Sequence, residues 1–371
     1  MLTKKLSSLI ASLILFSGII VQENATAQTK DSASFKVSWY IDAYYAYYTD
    51  SLGPGDYQKF PSVSPRSKQF GLNTAQVTFQ YDAEKIRGTV VLHYGDIPVS
   101  AWSGTFNNIM EAHAGVMLCK KLWLDAGFFR THFGTEGLLP KENFTSSVSV
   151  NTFYEPYYES GFRLNYNPSD KLVINFYVLN GYNIYQENND KKSIGMLATY
   201  ALGDKGNIGY SNYIGDDTPT VPDSIQSVSH ARFHQNLFWN YQIKKLKIQV
   251  GGDYCMQANS DTTGTKNASM TSGVISLKYQ FNKKYAAYVR EEFFNDAQGF
   301  MSTRFMDSNN IQTGYKLVGA TLGVEYKPTE NSYIRLEGRN LMMDEAQDIF
   351  VWDGKYRNSR KEILLNMGIS F

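Results

Sequence analysis

Apolar residues recur at every second position over long stretches of this chain, with polar residues at the alternate sites. Period two marks a strand with one apolar and one wet face. In residues 361–371, Ile363, Leu365, Met367, Ile369 and Phe371 share one parity, and Leu364, Asn366, Gly368 and Ser370 share the other. Near the start, Phe35, Val37, Trp39, Ile41, Ala43, Tyr45 and Tyr47 alternate with Lys36, Ser38, Tyr40, Asp42 and Tyr44. Sixteen such stretches can be placed between turn signals. Strands are expected at about 35–48, 70–81, 86–95, 109–118, 122–131, 158–166, 172–179, 193–202, 207–214, 228–241, 246–254, 273–281, 285–294, 312–326, 332–339 and 361–371.

The connections alternate long and short. The short ones are tight turns such as Asn167-Pro168-Ser169-Asp170, Asn282-Lys283-Lys284 and Lys327-Pro328-Thr329-Glu330. Even strand number, short turns on one side and long loops on the other describe an all-β fold. It is a transmembrane antiparallel β-barrel of about 16 strands, with short periplasmic turns and long extracellular loops. Closure is forced in lipid, because an open edge would leave backbone groups unpaired at several kcal/mol each. The last strand is therefore expected to close against the first. At that width side chains cannot fill the interior, and an aqueous channel is expected. The ending resembles the C-terminal assembly signal of bacterial outer-membrane barrels, which makes Ile369 and Phe371 the assembly residues and the barrel-assembly machinery a partner. A soluble sandwich array would account for none of these features together.

Met1 to Ala27 adds an address. Lys4 and Lys5 precede an apolar run from Leu6 to Val21, and Ala25-Thr26-Ala27 is a small-x-small cleavage site. Residues 1–27 are thus expected to be a cleaved signal peptide and 28–371 a single barrel domain. No Cys follows the run, so no lipoprotein anchor is expected. Aromatics make up 15% of the chain, with 27 Tyr and 22 Phe, yet mean hydropathy is −0.36. A barrel whose lipid face alternates with a wet lumen reconciles the two. A formal charge of +1 gives no cause to expect nucleic acid. The two cysteines, Cys119 and Cys255, fall at opposite ends of this barrel, beyond reach of a disulfide.

Several short motifs, in order, resemble one family. They are Asp42-Ala43-Tyr44-Tyr45-Ala46-Tyr47, Gly134-Thr135-Glu136, Glu159-Ser160-Gly161-Phe162-Arg163, Leu179-Asn180-Gly181-Tyr182, then Arg290, Glu292, Phe294 and Asp296, and the stretch from Glu325-Tyr326 to Arg335–Arg339. The chain resembles the OmpL-like outer-membrane β-barrel porins of the Bacteroidota. That resemblance covers nearly all of it after the leader. It implies a water-filled channel for passive diffusion of small polar solutes, in the outer membrane of a Gram-negative bacterium, and names no particular solute.

The lumen parity carries both signs. Basic candidates are Arg87, Arg163, Arg232, Lys247, Lys278, Arg290, Arg335 and Arg339. Acidic ones are Asp42, Glu111, Asp125, Glu159, Asp253, Glu292, Glu325 and Glu337. The signs balance, so no ion selectivity follows. Of these, Asp42, Arg87, Glu111, Arg163, Lys278, Arg290, Glu292, Arg335, Glu337 and Arg339 are the pore-lining set. The longest irregular stretch, His132 to Tyr157, is the third long loop. In general porins that loop narrows the pore; by analogy Glu136, Lys141, Glu142 and Glu155 would line a constriction facing a basic wall. General porins also suggest a homotrimer by analogy.

Catalysis has little to stand on. His230 and His234 share a strand face about 13 Å apart, too far for one ion. His93 and His113 are candidate lumenal neighbours. There is no Gly-x-Ser-x-Gly elbow, phosphate loop or paired-Cys metal signature. No cofactor, metal or enzyme activity is expected. The alternatives are a surface-exposed structural or adhesion barrel without an open channel, and, behind it, an outer-membrane hydrolase.

Overall fold

The computed structural model describes residues 33–50, 53, 55–220 and 228–371. The expected signal peptide and cleavage site lie outside the described residues. Sixteen strands form one closed sheet. They are β1 Ser34–Tyr48, β2 Phe70–Asp82, β3 Ile86–Tyr94, β4 Ile109–Cys119, β5 Leu122–Arg130, β6 Tyr158–Tyr166, β7 Leu172–Leu179 and β8 Ser193–Ala201. After these come β9 Gly206–Gly215, β10 Arg232–Ile243, β11 Leu246–Gln257, β12 Ala268–Gln280, β13 Tyr285–Asn295, β14 Lys316–Tyr326, β15 Ser332–Met343 and β16 Ser359–Ser370. Each pairs antiparallel with its chain neighbour, and β16 returns to β1, from Tyr40 opposite Ser370 to Tyr48 opposite Glu362. Trp39 N–H donates to the Phe371 carbonyl at 2.7 Å, and Phe371 N–H donates back to Trp39 at 3.1 Å.

Which way the strands face follows from their alternation. Trp39, Ile41, Ile363, Leu365, Met367, Ile369 and Phe371 are exposed on the outside, whereas Tyr40, Asp42, Arg290, Arg335 and Asn366 are buried within. This inverts a soluble protein: the apolar face meets lipid and the polar face lies inside. Aromatic pairs sit near strand ends on the outer face, with ring centroids 5.2 Å apart for Tyr45–Phe70 and 5.1 Å for Tyr285–Tyr326. Such pairs suit the two interfaces of a bilayer. Among the described residues no helix is long and apolar enough to cross a membrane.

The expected strands differ from the observed ones at their ends. β10 begins at Arg232 rather than near residue 228, and β12 begins earlier, at Ala268. β14 begins at Lys316, because Gln312 and Thr313 pair instead with Met306 and Phe305 in a separate hairpin. The Asp296 carboxylate shapes that bend by accepting the backbone N–H groups of Met301 and Ser302 at 2.9 and 2.7 Å. Gly314 then passes so close to Gly299 that a Cβ on it would lie 2.3 Å from the Gly299 Cα. β15 runs on to Met343, and a small hairpin, Phe350–Trp352 with Lys355–Arg357, occupies the last long loop.

Candidate functional site: the lumen and segment 132–157

The segment between β5 and β6 is polar and small-residue-rich, with short 3-10 turns at Pro140–Glu142 and Asn151–Phe153. It does not project outward. Thr135 seats on β11, where Gly251 makes room: a Cβ there would lie 1.9 Å from Thr135 Oγ1. His132 seats likewise over Gly195 of β8, whose Cβ would fall 2.5 Å from the imidazole Nε2. From these seats the segment crosses the lumen to the far wall.

There the wall charges grip it. Arg335 donates to the carbonyls of Pro140 and Thr145, both at 2.8 Å. Glu337 accepts the N–H groups of Ser146 and Ser147 at 2.7 and 3.0 Å. Ser146 Oγ also bonds Asn366 on β16. Arg290 donates to the Ser147 carbonyl at 2.6 Å and meets the Glu136 carboxylate at 3.2 Å. Glu292 accepts from Val150 N–H at 2.7 Å and pairs with Arg339 at 2.6 Å. Strand carboxylates thus satisfy loop N–H groups that would otherwise be buried unpaired.

This places each candidate residue. Asp42, Lys278, Arg290, Glu292, Arg335, Glu337 and Arg339 all face inward, and all are buried. They pair with one another and with the segment. Asp42 is held by Asn73, Tyr333 and Asn366, and Lys278 shares Glu325 with Arg335, each at 2.7 Å. Arg87, Glu111 and Arg163 keep part of their side chains open, and Lys247 is exposed. Within the segment Glu136 and Glu155 are buried, while Lys141 and Glu142 are exposed. Glu136 therefore bonds Arg290 directly rather than facing it across water. Glu142 is engaged by Arg130 through two oxygens.

The segment's own groups feel this enclosure. Burial first, then the charges of Asp253 and Glu136, push the Glu155 carboxyl well above its ordinary value. Burial pulls the His132 imidazole down, but the Glu159 carboxylate 2.8 Å from Nδ1 outweighs it, and the net direction is up. The Asn212 carbonyl takes the other ring nitrogen at 2.8 Å.

The remaining histidines stay apart. His93 packs edge-on against Trp102, and His113 lies against Phe129 and 3.5 Å from Glu111. Thr89, not His93, stands opposite His113 in the sheet. His234 faces Cys255 across β10 and β11, but its nitrogens are taken by Tyr182 and Asp253, each at 3.1 Å. Cys119 is exposed, Cys255 is buried, and both are free. Among the described residues no cluster of His, Cys, Asp and Glu could hold a metal.

Space remains beside the segment. A cavity of about 250 Å³ is lined by Trp102, Thr131, Phe133, Thr135, Tyr157, Leu197 and Phe238 among others. Toward the short-turn end, Thr135 and Glu142 also border a space of about 440 Å³ with Asn207, Asn240, Lys247 and Gln249. Sequence reasoning missed the segment's Thr145, Ser146 and Ser147 and the seats at Gly195 and Gly251. The run Thr145-Ser146-Ser147, small hydroxyls in a long loop, was the available signal. The glycines had none, since what they make room for lies far away in sequence.

A closed 16-strand barrel, apolar outside and polar inside, with its third long loop folded into the lumen, defines an outer-membrane porin. The chain belongs to the family described as "Putative beta-barrel porin-2, OmpL-like", whose model matches residues 34–371. It resides in the outer membrane of a Gram-negative bacterium. Solved structures with the same fold include the outer-membrane channel DcaP of Acinetobacter baumannii, at 11% identity and TM-score 0.60, covering 94% of this chain and 100% of that one. The anion-selective porin from Comamonas acidovorans matches at 9% identity and TM-score 0.58, covering 91% and 100%. The trimer form of OmpT of Vibrio cholerae matches at 11% identity and TM-score 0.57, covering 91% and 99%. No curated protein matches the chain.

Proposed function

We propose that this porin is a passive diffusion channel for small polar solutes. The observation that carries it is the polar inner wall with room left beside the inserted segment, in two spaces that both border Thr135. The segment narrows the lumen and sets the size limit. On this reading the protein is not an enzyme: both nitrogens of His132 and of His234 are engaged by acceptors and a phenol, leaving neither as a base for a nucleophile. The Bacteroidota source implied by the motif resemblance belongs to the same reading. Single-channel recording of the purified protein tests it, with swelling of liposomes in sugars of graded size giving the cut-off. Steady conductance and uptake of small sugars are expected. The second reading, a blocked structural barrel, is favoured by the grip of Arg290, Arg335 and Glu337 on the segment; absence of any conductance would decide for it.

The barrel's partner on this reading is its own kind, in a ring of three. Among the described residues, outward amides and carboxylates within the band fall on β9 to β15. Asn212 Nδ2 donates to Tyr210 Oη and Tyr210 donates to Gln235 Oε1, so the Gln235 NH2 is the donor left facing out. Glu291 is exposed between Val289 and Phe293, with Ile275 and Ala320 across from it. It borders a groove of about 320 Å³ floored by Gly273. A carboxylate facing lipid costs free energy, which a neighbouring copy's Gln235 amide would offset in a head-to-tail ring. Glu291→Lys should convert oligomers to monomers in mild detergent; an unchanged oligomer would reject this face.

A further inference from the structure

Most of the lumen's charge is hidden, but on the wall from β3 to β6 two arginines stay in view around one buried carboxylate. Arg87 of β3, Gly115 of β4, Asp125 of β5 and Arg163 of β6 stand opposite one another in one row of the sheet. Arg87 spans the intervening strand to bind Asp125 with Nε and Nη2, at 2.7 and 2.6 Å. Arg163 Nε reaches the same carboxylate at 3.0 Å. Gly115 permits the crossing: a Cβ there would lie 2.1 Å from Asp125 Oδ1 and 3.1 Å from Arg87 Cγ. Each guanidinium also lies over a ring, Arg87 over Trp123 at 4.5 Å and Arg163 over Phe129 at 4.8 Å.

The arithmetic of charge is uneven. Two guanidiniums share one carboxylate, which leaves one positive charge uncompensated. Asp125 is fully buried, whereas the Arg87 and Arg163 side chains keep 24% and 21% of their surface. Water in the lumen therefore meets the cations and not the anion. Elsewhere the balance is closed off: Lys278 and Arg335 on Glu325, and Arg290 and Arg339 on Glu292, are all buried. Glu142, which is exposed, is engaged by Arg130. Lys141 and Lys247 are further open cations. The open acids on this side are Glu111, which leans on His113, and Asp82, which stands opposite Arg87 in the sheet but accepts from Gln80 rather than pairing with the arginine.

We propose that the Arg87–Asp125–Arg163 cluster is an anion-binding station on the lumen wall, taking the carboxylate or phosphate group of small solutes, and that it biases the channel toward anions. The inference rests on the porin reading. Asp125 and the two rings hold the guanidiniums in fixed planes, so the N–H groups not spent on Asp125 are preorganised for a second oxyanion. A ring or cluster of arginines favouring anions is the general electrostatic rule for pores. One excess charge in a wet lumen is screened over about 8–10 Å at physiological salt. The bias should therefore be strong at low salt and fade as salt rises.

Reversal potentials in a KCl gradient, with the full-length folded protein in planar bilayers, test this. Chloride should permeate several-fold better than potassium at low salt. The bias should fall toward unity in Arg87→Gln/Arg163→Gln and stay in Arg163→Lys, which keeps the charge. In wild type, inorganic phosphate and acetate should each reduce the chloride current saturably, and a neutral sugar of similar size should not. The phosphate and acetate arms use the unaltered protein, so they hold if the double variant fails to assemble. A conducting channel that prefers potassium, or one indifferent to both phosphate and acetate, would overturn the station and leave the porin reading intact. No conductance at all would overturn both.

Discussion

At the scale of single residues, pH acts on two groups of the inserted segment in the same direction. Glu155 is raised by burial and by its acidic neighbours, and His132 is raised because Glu159 outweighs burial. A group whose folded pKa lies above its free value stabilises the folded arrangement fully below the free value, and that contribution is lost as pH rises through the folded value. For Glu155 the loss starts above the ordinary carboxylate value of 4.5, and for His132 above 6.5. The segment should hence sit most firmly below the ordinary carboxylate value and loosen progressively as pH rises, the Glu155 contribution going from 4.5 upward and the His132 contribution from 6.5 upward. Hydrogen exchange of residues 132–157 with rising pH reads this directly, and His132→Gln should remove the part above neutrality. Protection that is flat or grows with pH would contradict the assignment.

At the scale of elements, strands and segment were unequally legible. All sixteen strands could be read because a strand's period of two is local, and the lipid face makes each apolar parity conspicuous in a chain of low mean hydropathy. The ends were less readable. Gln312 looks like the start of β14, but the Asp296 bend and the close pass of Gly314 over Gly299 give it another partner. The lumen residues were read to the correct face but not to their state. Nothing near Arg335 says that carbonyls of residues 140 and 145 lie on it, because the contact spans about half the chain. Charges that looked like a wet wall are the segment's fastenings. Arg290 is the one to remove. It is fully buried and joins Glu136, Glu292 and the Ser147 carbonyl. Losing one partner from a buried ion network costs about 3–5 kcal/mol, and the segment, not the wall, is the part free to yield. Arg290→Met should therefore expose 132–157 to protease and raise single-channel conductance while the barrel stays folded. Adding Glu136→Gln should restore part of the protection, since it removes the stranded charge. A protected segment with unchanged conductance in Arg290→Met would show that this arginine is not a fastening.

At the scale of the whole molecule, the barrel is one closed circuit, and its last joint is between β16 and β1. Nine residue pairs run along that seam, from Tyr40–Ser370 to Tyr48–Glu362. Phe371 extends it by two backbone hydrogen bonds to Trp39 and by ring stacking with centroids 6.4 Å apart. Removing Phe371 leaves all nine pairs, so the folded barrel loses only about 1–3 kcal/mol by the ordinary worth of two hydrogen bonds. If Phe371 served only the seam, its deletion would lower melting temperature a little and leave yield nearly normal. If it is also the outward-facing mark by which the closing strand is recognised during insertion, the two effects separate. The deletion should cut the amount of folded protein in the outer membrane severalfold, while the fraction that does fold keeps wild-type conductance and nearly wild-type resistance to heat in detergent. Phe371→Tyr, which keeps ring and backbone, should restore the yield. Ile369→Asn should lower the yield as well, because Ile369 pairs with Ile41 on the same outward face. Normal folded yield for the Phe371 deletion would reduce that residue to a seam contact and remove it from assembly.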